Sequence, residues 1–245
     1  LSEAKIIIDE ALEIDPEDAK ANLTKGVLLE EQHQPEAARA YYARALSADP
    51  DYAEALLYSG NDAMRRDEYE QAKALYERFR VQFPNQPQAA HFYGLALLLT
   101  GECEQAKTPL WTALIAVPDN PAYAEGWLRA FSVCPDDDSD ARTRARTTAQ
   151  SLYQYRQDGA MAATLAMVLA ALGQFDDAIG YQGEAIFGAL SVGDPEVLDW
   201  LKHNLQRYEN EQHADKAWPD ASPLLKPYLV TPADRYQRVG VQNGS

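Results

Sequence analysis

Three aspartates at alternate positions, Asp136, Asp138 and Asp140, carry the clearest chemical pattern in the sequence, because carboxylates so spaced open a calcium loop. Such a loop needs glycine next, for its sharp turn, and a bidentate glutamate at its close; Ala141 and Thr147 stand at those places. The same aspartates are explained by capping of a following helix, where negative charge is favoured. His33, His91, His203 and His213 show no His-x3-His spacing and the chain has no Cys-x2-Cys, so neither zinc nor any other cofactor is indicated. No nucleophile elbow, phosphate-binding loop or dinucleotide fingerprint occurs. Paired acids such as Glu30-Glu31 and Asp176-Asp177 read as solvated helix and turn residues, and nothing here points to an enzyme. Asn22-Leu-Thr24 and Asn243-Gly-Ser245 match the glycosylation acceptor, the first within an expected helix.

The two cysteines allow two readings. Cys103 lies in the turn Gly101-Glu-Cys-Glu-Gln, and Cys134 ends the first helix of the following helix pair, so both fall on one edge of neighbouring units. A bridge is conceivable, but spacing alone does not set the Cα separation it requires. Two separate buried thiols are the other reading.

These residues sit on elements that repeat. Prolines recur every 34 residues at Pro16, Pro50, Pro84 and Pro118; Gly26, Gly60 and Gly94 keep the interval, as do Ala38, Ala72 and Ala106, and the large residues Tyr42, Tyr76 and Leu110. A fixed period of this size means stacked supersecondary units that bury their apolar faces only together. Each unit reads as two antiparallel helices, such as 53–66 followed by 69–82. Gly60 and Ala72 are small where the pair comes closest, with Tyr69 and Tyr76 filling the space beside them. A leucine at Gly60 is therefore expected to open the contact at Ala72. Phe79, where other units carry Ala45 or Ala113, predicts a locally shifted contact.

The order Gly, Ala-x3-Tyr, Pro resembles the tetratricopeptide-repeat family over residues 1–210. The resemblance implies an all-α, right-handed solenoid of antiparallel helix pairs. It would comprise a half repeat at 1–18, repeats at 19–52, 53–86 and 87–120, a divergent pair at 121–156, a repeat at 159–192 and a capping helix at 194–210. The divergent pair replaces the family glycine with Leu128 and lengthens its loop through Pro135–Asp140, whereas Gly173–Ala178 is a typical family turn. Asp194 and Pro195 start the last helix, whose stripe Leu198, Leu201 and Leu205 suits a cap. Because Ala4, Ile8 and Ala11 are in phase with second helices, the chain opens within half a unit, its partner helix lying upstream of Leu1.

The family lines its concave face with the first helix of each pair. Carried over, that face holds Lys20, Leu23, Val27 and Glu30, then Glu54, Leu57, Asn61 and Arg65, then His91, Leu95 and Leu98, and later Met167. Some of these residues also suit packing between repeats. The carboxylate clamp of chaperone-binding members is not reproduced: only Asn61 fits, while Leu23, Val27, Gln88 and Phe92 replace its other groups. The implied function is a scaffold, bacterial in style, that binds a basic or apolar protein or peptide. The alternative is a structural or self-associating module of a larger assembly; an enzyme would need residues upstream.

Net charge is −16, all of it before residue 211, since Glu211, Asp215, Asp220 and Asp234 balance Lys216, Lys226, Arg235 and Arg238. An acidic body argues against nucleic acid and anionic membranes. The longest apolar runs, such as 95–99, are far too short for membrane insertion. Few cysteines fit a reducing cytosol, and a removed leader fits the cell envelope. Residues 211–245 differ in kind, with Pro219, Pro223, Pro227 and Pro232 excluding a long helix. They are interleaved with Trp218, Leu224, Leu225, Tyr228, Leu229 and Val230, so an extended tail anchored through Trp218, Leu225 and Tyr228 is expected to pack on the helices.

Overall fold

A computed structural model describes residues 2–220, with side chains from residue 5 onward. Leu225, Tyr228 and the remaining tail residues beyond 220, with the acceptor Asn243, lie outside the described residues. Among the described residues all regular structure is helical. The helices are α1 (Ser2–Ile14), α2 (Ala19–Glu31), α3 (Pro35–Ala48), α4 (Ala53–Arg65), α5 (Tyr69–Gln82), α6 (Pro87–Leu99), α7 (Cys103–Ala116), α8 (Pro121–Val133), α9 (Ser139–Tyr155), α10 (Gly159–Ala171), α11 (Phe175–Leu190) and α12 (Pro195–Glu209). Successive helices pack as antiparallel pairs, the all-α solenoid architecture. Two compact units are present; one ends at Ala89 and the next begins at Ala90.

Polar caps start the first helix of most pairs. Asp18 accepts from the Ala21 N–H at 2.6 Å, Asn120 from Ala122 at 3.0 Å, Asp158 from Met161 at 3.0 Å and Asp194 from Glu196 at 3.0 Å. The first helices α2, α4, α6 and α10 are each followed by a left-handed residue, at His33 (φ 58°), Asp67 (φ 59°), Gly101 (φ 86°) and Gly173 (φ 78°). Each time the next N–H reaches back to close the helix, as Gln34 does to Leu29 at 2.9 Å and Gln174 to Leu169 at 2.9 Å. This reversal turns the chain into the second helix. The divergent pair lacks it: α8 ends on extended Cys134, and Asp138 caps α9 across the longer loop by accepting from Ala141 at 3.0 Å.

The 34-residue glycines are notches for the large residues of the paired helix. A Cβ at Gly26 would lie 2.5 Å from the Tyr42 ring, at Gly60 2.4 Å from the Tyr76 ring, and at Gly94 2.6 Å from Leu110. Leucine at Gly60 therefore strikes Tyr76 before it disturbs Ala72, because the tyrosine already fills the notch. Tyr69, half-buried, bonds instead to Asp67. Phe79 is buried with Ala53, Leu56 and Ala89.

Cys103 and Cys134 form a disulfide with Cα atoms 5.9 Å apart, well within the range a bridge requires. It ties the start of α7 to the end of α8, and so replaces the reading of two separate thiols. Asn22 is buried, its side-chain amide donating to the Pro16 and Asp18 carbonyls at 2.9 Å, which removes it as a glycan acceptor in the folded chain. Among the described residues no helix is long and apolar enough to cross a membrane.

Candidate functional site

In the first unit, α2 and α4 build the face that first helices share. Leu23 is buried in a cluster with Ala38, Tyr42, Ala45 and Ala55, against which the half-buried Val27 packs. Leu57 is likewise half-buried, beside Leu56 and Phe79. Lys20 and Arg65 are exposed at opposite ends. Arg65 bridges the two helices, 3.1 Å from Glu30, and contacts Asp62 at 3.7 Å. Asp62, almost fully buried, also takes Arg39 at 2.8 Å and Arg66 at 3.1 Å. Asn61 is committed to the interior, where it accepts a hydrogen bond from the Tyr76 hydroxyl at 2.7 Å. The lining is thus two partly exposed apolar side chains, Val27 and Leu57, with Lys20 exposed at one end and the ion-paired Arg65 at the other.

Four further candidates lie deeper than the sequence suggests. His91, Leu95, Leu98 and Met167 are buried, because large neighbours close over these register positions in the second unit. His91 stacks 4.5 Å from Tyr123, and neither ring nitrogen has a partner among the described residues. Burial drives its pKa down to about 3, so the imidazole is neutral.

The second unit holds the most elaborate polar cluster. Arg129 occupies on α8 the position that Leu95, Asn61 and Val27 hold one, two and three periods earlier. Its side chain is 0% exposed. Nε donates to Glu125, one turn back, at 3.0 Å, and the guanidinium contacts the Met167 sulfur of α10 at 3.8 Å. Burial pushes the Glu125 carboxyl up and the Arg129 guanidinium down, while each charge supports the other. The remaining partners come from α12 and the segment after it. Arg129 Nη1 donates to the Ala217 carbonyl at 2.6 Å, and its charge lies 5.0 Å over the Trp218 ring and 5.7 Å over Trp200. Trp218, an expected anchor, is 3% exposed. α12 packs on α11, and its buried stripe is Val197, Trp200, Leu201, Asn204 and Tyr208, while Leu198 and Leu205 are only half-buried. The 34-residue register already places Arg129 on this face, and a cation in a row of uncharged residues was the signal that would have found it.

Paired helices repeating on one period, with a glycine notch in each of the three regular pairs, define a helical-repeat interaction scaffold. Tetratricopeptide-repeat profiles match residues 29–94 and residues 3–53, so the chain carries tetratricopeptide repeats. No curated protein matches the sequence. Among solved structures it is similar to YrrB, described as a tetratricopeptide protein with an unusual peptide-binding site, at 18% identity and TM-score 0.61, covering 76% of this chain and 97% of that one. PilF of Pseudomonas aeruginosa is similar at 20% identity and TM-score 0.60, over 86% and 90% of the two chains. A tetratricopeptide protein of Parabacteroides merdae is similar at 15% identity and TM-score 0.60, over 83% and 78%. These likenesses concern the fold.

Proposed function

We propose that the chain is a non-enzymatic scaffold that binds a peptide or protein segment on the concave, first-helix face of its N-terminal unit. The observation that carries this reading is the pair Val27 and Leu57, left partly exposed on successive first helices between Lys20 and Arg65. Apolar anchors with charged ends suit an extended or helical segment with apolar side chains at matching spacing. Peptide binding by the structurally similar YrrB supports the reading by analogy of fold. A photocrosslinking residue at Leu57 of the full chain is expected to trap a discrete partner from source cells, and Val27→Glu is expected to remove that product. The same probe at Ala74, exposed on the second helix, is the control. Identical products from both positions would exclude this face.

Self-association is the second reading, and α1 favours it. Ile6, Ile7 and Ile14 are exposed on that helix, Ile14 at 87%. Crosslinks from Leu57 only to further copies of the chain, with sedimentation that rises with concentration, would replace the first reading by this one.

A further inference from the structure

α12 ends like the first helix of a complete pair. Glu211 takes the left-handed conformation (φ 56°) and the Gln212 N–H closes on the Arg207 carbonyl at 2.9 Å. After this turn no second helix forms up to residue 220. The chain instead lies on the first-helix face of its own unit. Arg207 Nε holds the His213 carbonyl at 2.8 Å, and the Asp215 carboxylate sits 3.1 Å from His203 and 3.4 Å from Arg207. Ala214, Ala217 and Trp218 are buried, with Arg129 gripping the last two.

The fit is incomplete. Arg129 Nη2, the indole N–H groups of Trp200 and Trp218, the Asn204 amide and the Tyr208 hydroxyl are buried with no hydrogen-bond partner among the described residues. Buried polar groups are nearly always paired in native interiors, so several idle ones around one segment mark an occupant that does not use all the face offers. Glu125 already neutralises Arg129, and the chain carries −16, so the missing acceptors match uncharged groups rather than another carboxylate.

We infer that residues 213–218 are an internal occupant of a second peptide site, and that they exchange with a partner of the same chemistry. That partner is an extended segment giving Arg129 a main-chain carbonyl, rather than a carboxylate, and an aromatic ring to stack on it. The inference rests on the reading of first-helix faces as peptide sites, but it concerns α8, α10 and α12 alone. Because the internal copy is tethered, it competes at high effective concentration, and the site is closed until that copy is weakened or outcompeted.

The probe is a fluorescein-labelled peptide with the sequence of residues 211–220, titrated into the full-length chain. Trp218→Ala removes the ring from the internal copy, and the peptide is expected to bind this variant at least tenfold more tightly than the unaltered chain. A second peptide with alanine in place of its tryptophan is expected to show no such gain. If Trp218→Ala loses its helical circular dichroism, Asp215→Lys serves: it repels Arg207 and removes the contact with His203 at a partly exposed position, leaves the core untouched, and is expected to shift affinity in the same direction. Equal affinity for variant and unaltered chains, or an equal gain for both peptides, overturns the inference. Crosslinking at Leu57 is read separately, so either result leaves the first site's test standing.

Discussion

His91 meets a ring of aromatic and aliphatic neighbours that gives its charge nothing to pair with. Tyr123 and Phe92 stack on it at 4.5 and 5.6 Å, and its Cε1 lies 3.1 Å from where a Cβ on Gly126 would sit. The folded pKa is about 3 against an unfolded value near 6.5. Between those values only the unfolded chain binds the proton, so this contribution to stability is complete above about pH 6.5 and lost as pH falls toward 3. From pH 7 to pH 5 the loss amounts to about 2 kcal/mol, given roughly 1.4 kcal/mol per pH unit. His91→Leu removes the titration while leaving every other ionisable group in place. Its urea-unfolding free energy is expected to vary less between pH 7 and pH 5, by that amount; the same pH dependence in both proteins would rule the explanation out. The sequence places His91 in the register but not in the core, because burial depends on neighbours such as Tyr123 from the next pair.

Helices and turns were legible wherever a residue type has one local job. Proline, glycine and the small–large alternation predict α4 and α5 to within a residue, and Asp194-Pro195 marks the start of α12. Contacts between elements were less legible. The stripe chosen on α12 keeps Leu201 but shifts from Leu198 and Leu205 to Val197, Trp200, Asn204 and Tyr208, and the cysteines could be set on one edge but not at one distance. The disulfide joins α7 to α8 across a sequence separation of 31, within the pair junction where the turn chemistry departs from the family. Closing a loop of that length removes unfolded-state entropy worth about 3–4 kcal/mol. Denaturing, non-reducing thiol titration is expected to find no free thiol, and Cys103→Ser/Cys134→Ser is expected to unfold at lower urea. A double variant as stable as the parent would show that the bridge adds nothing to the folded state.

At the scale of the whole chain, charge works against compaction. Residues before 211 carry the entire −16, and most of the ion pairs that offset it are surface pairs. Such pairs contribute about 0–1 kcal/mol each and weaken with salt. Long-range repulsion among the excess carboxylates is also screened, as the Debye length falls from about 30 Å at 0.01 M to about 8 Å at 0.15 M. The buried pair Arg129–Glu125, at 3.0 Å, is protected from that screening by its enclosure. Repulsion is therefore the larger salt-sensitive contribution, and relieving it stabilises the folded chain. The melting temperature is expected to rise by roughly 2–4 °C between those salt concentrations, the shift that about 1 kcal/mol produces in a chain of this size. A partner with basic flanks gains association rate from the same field and loses it over the same range, whereas an uncharged peptide does not. A melting temperature that falls with salt would mean that the ion pairs outweigh the excess charge, and the acidic body would then contribute attraction rather than strain.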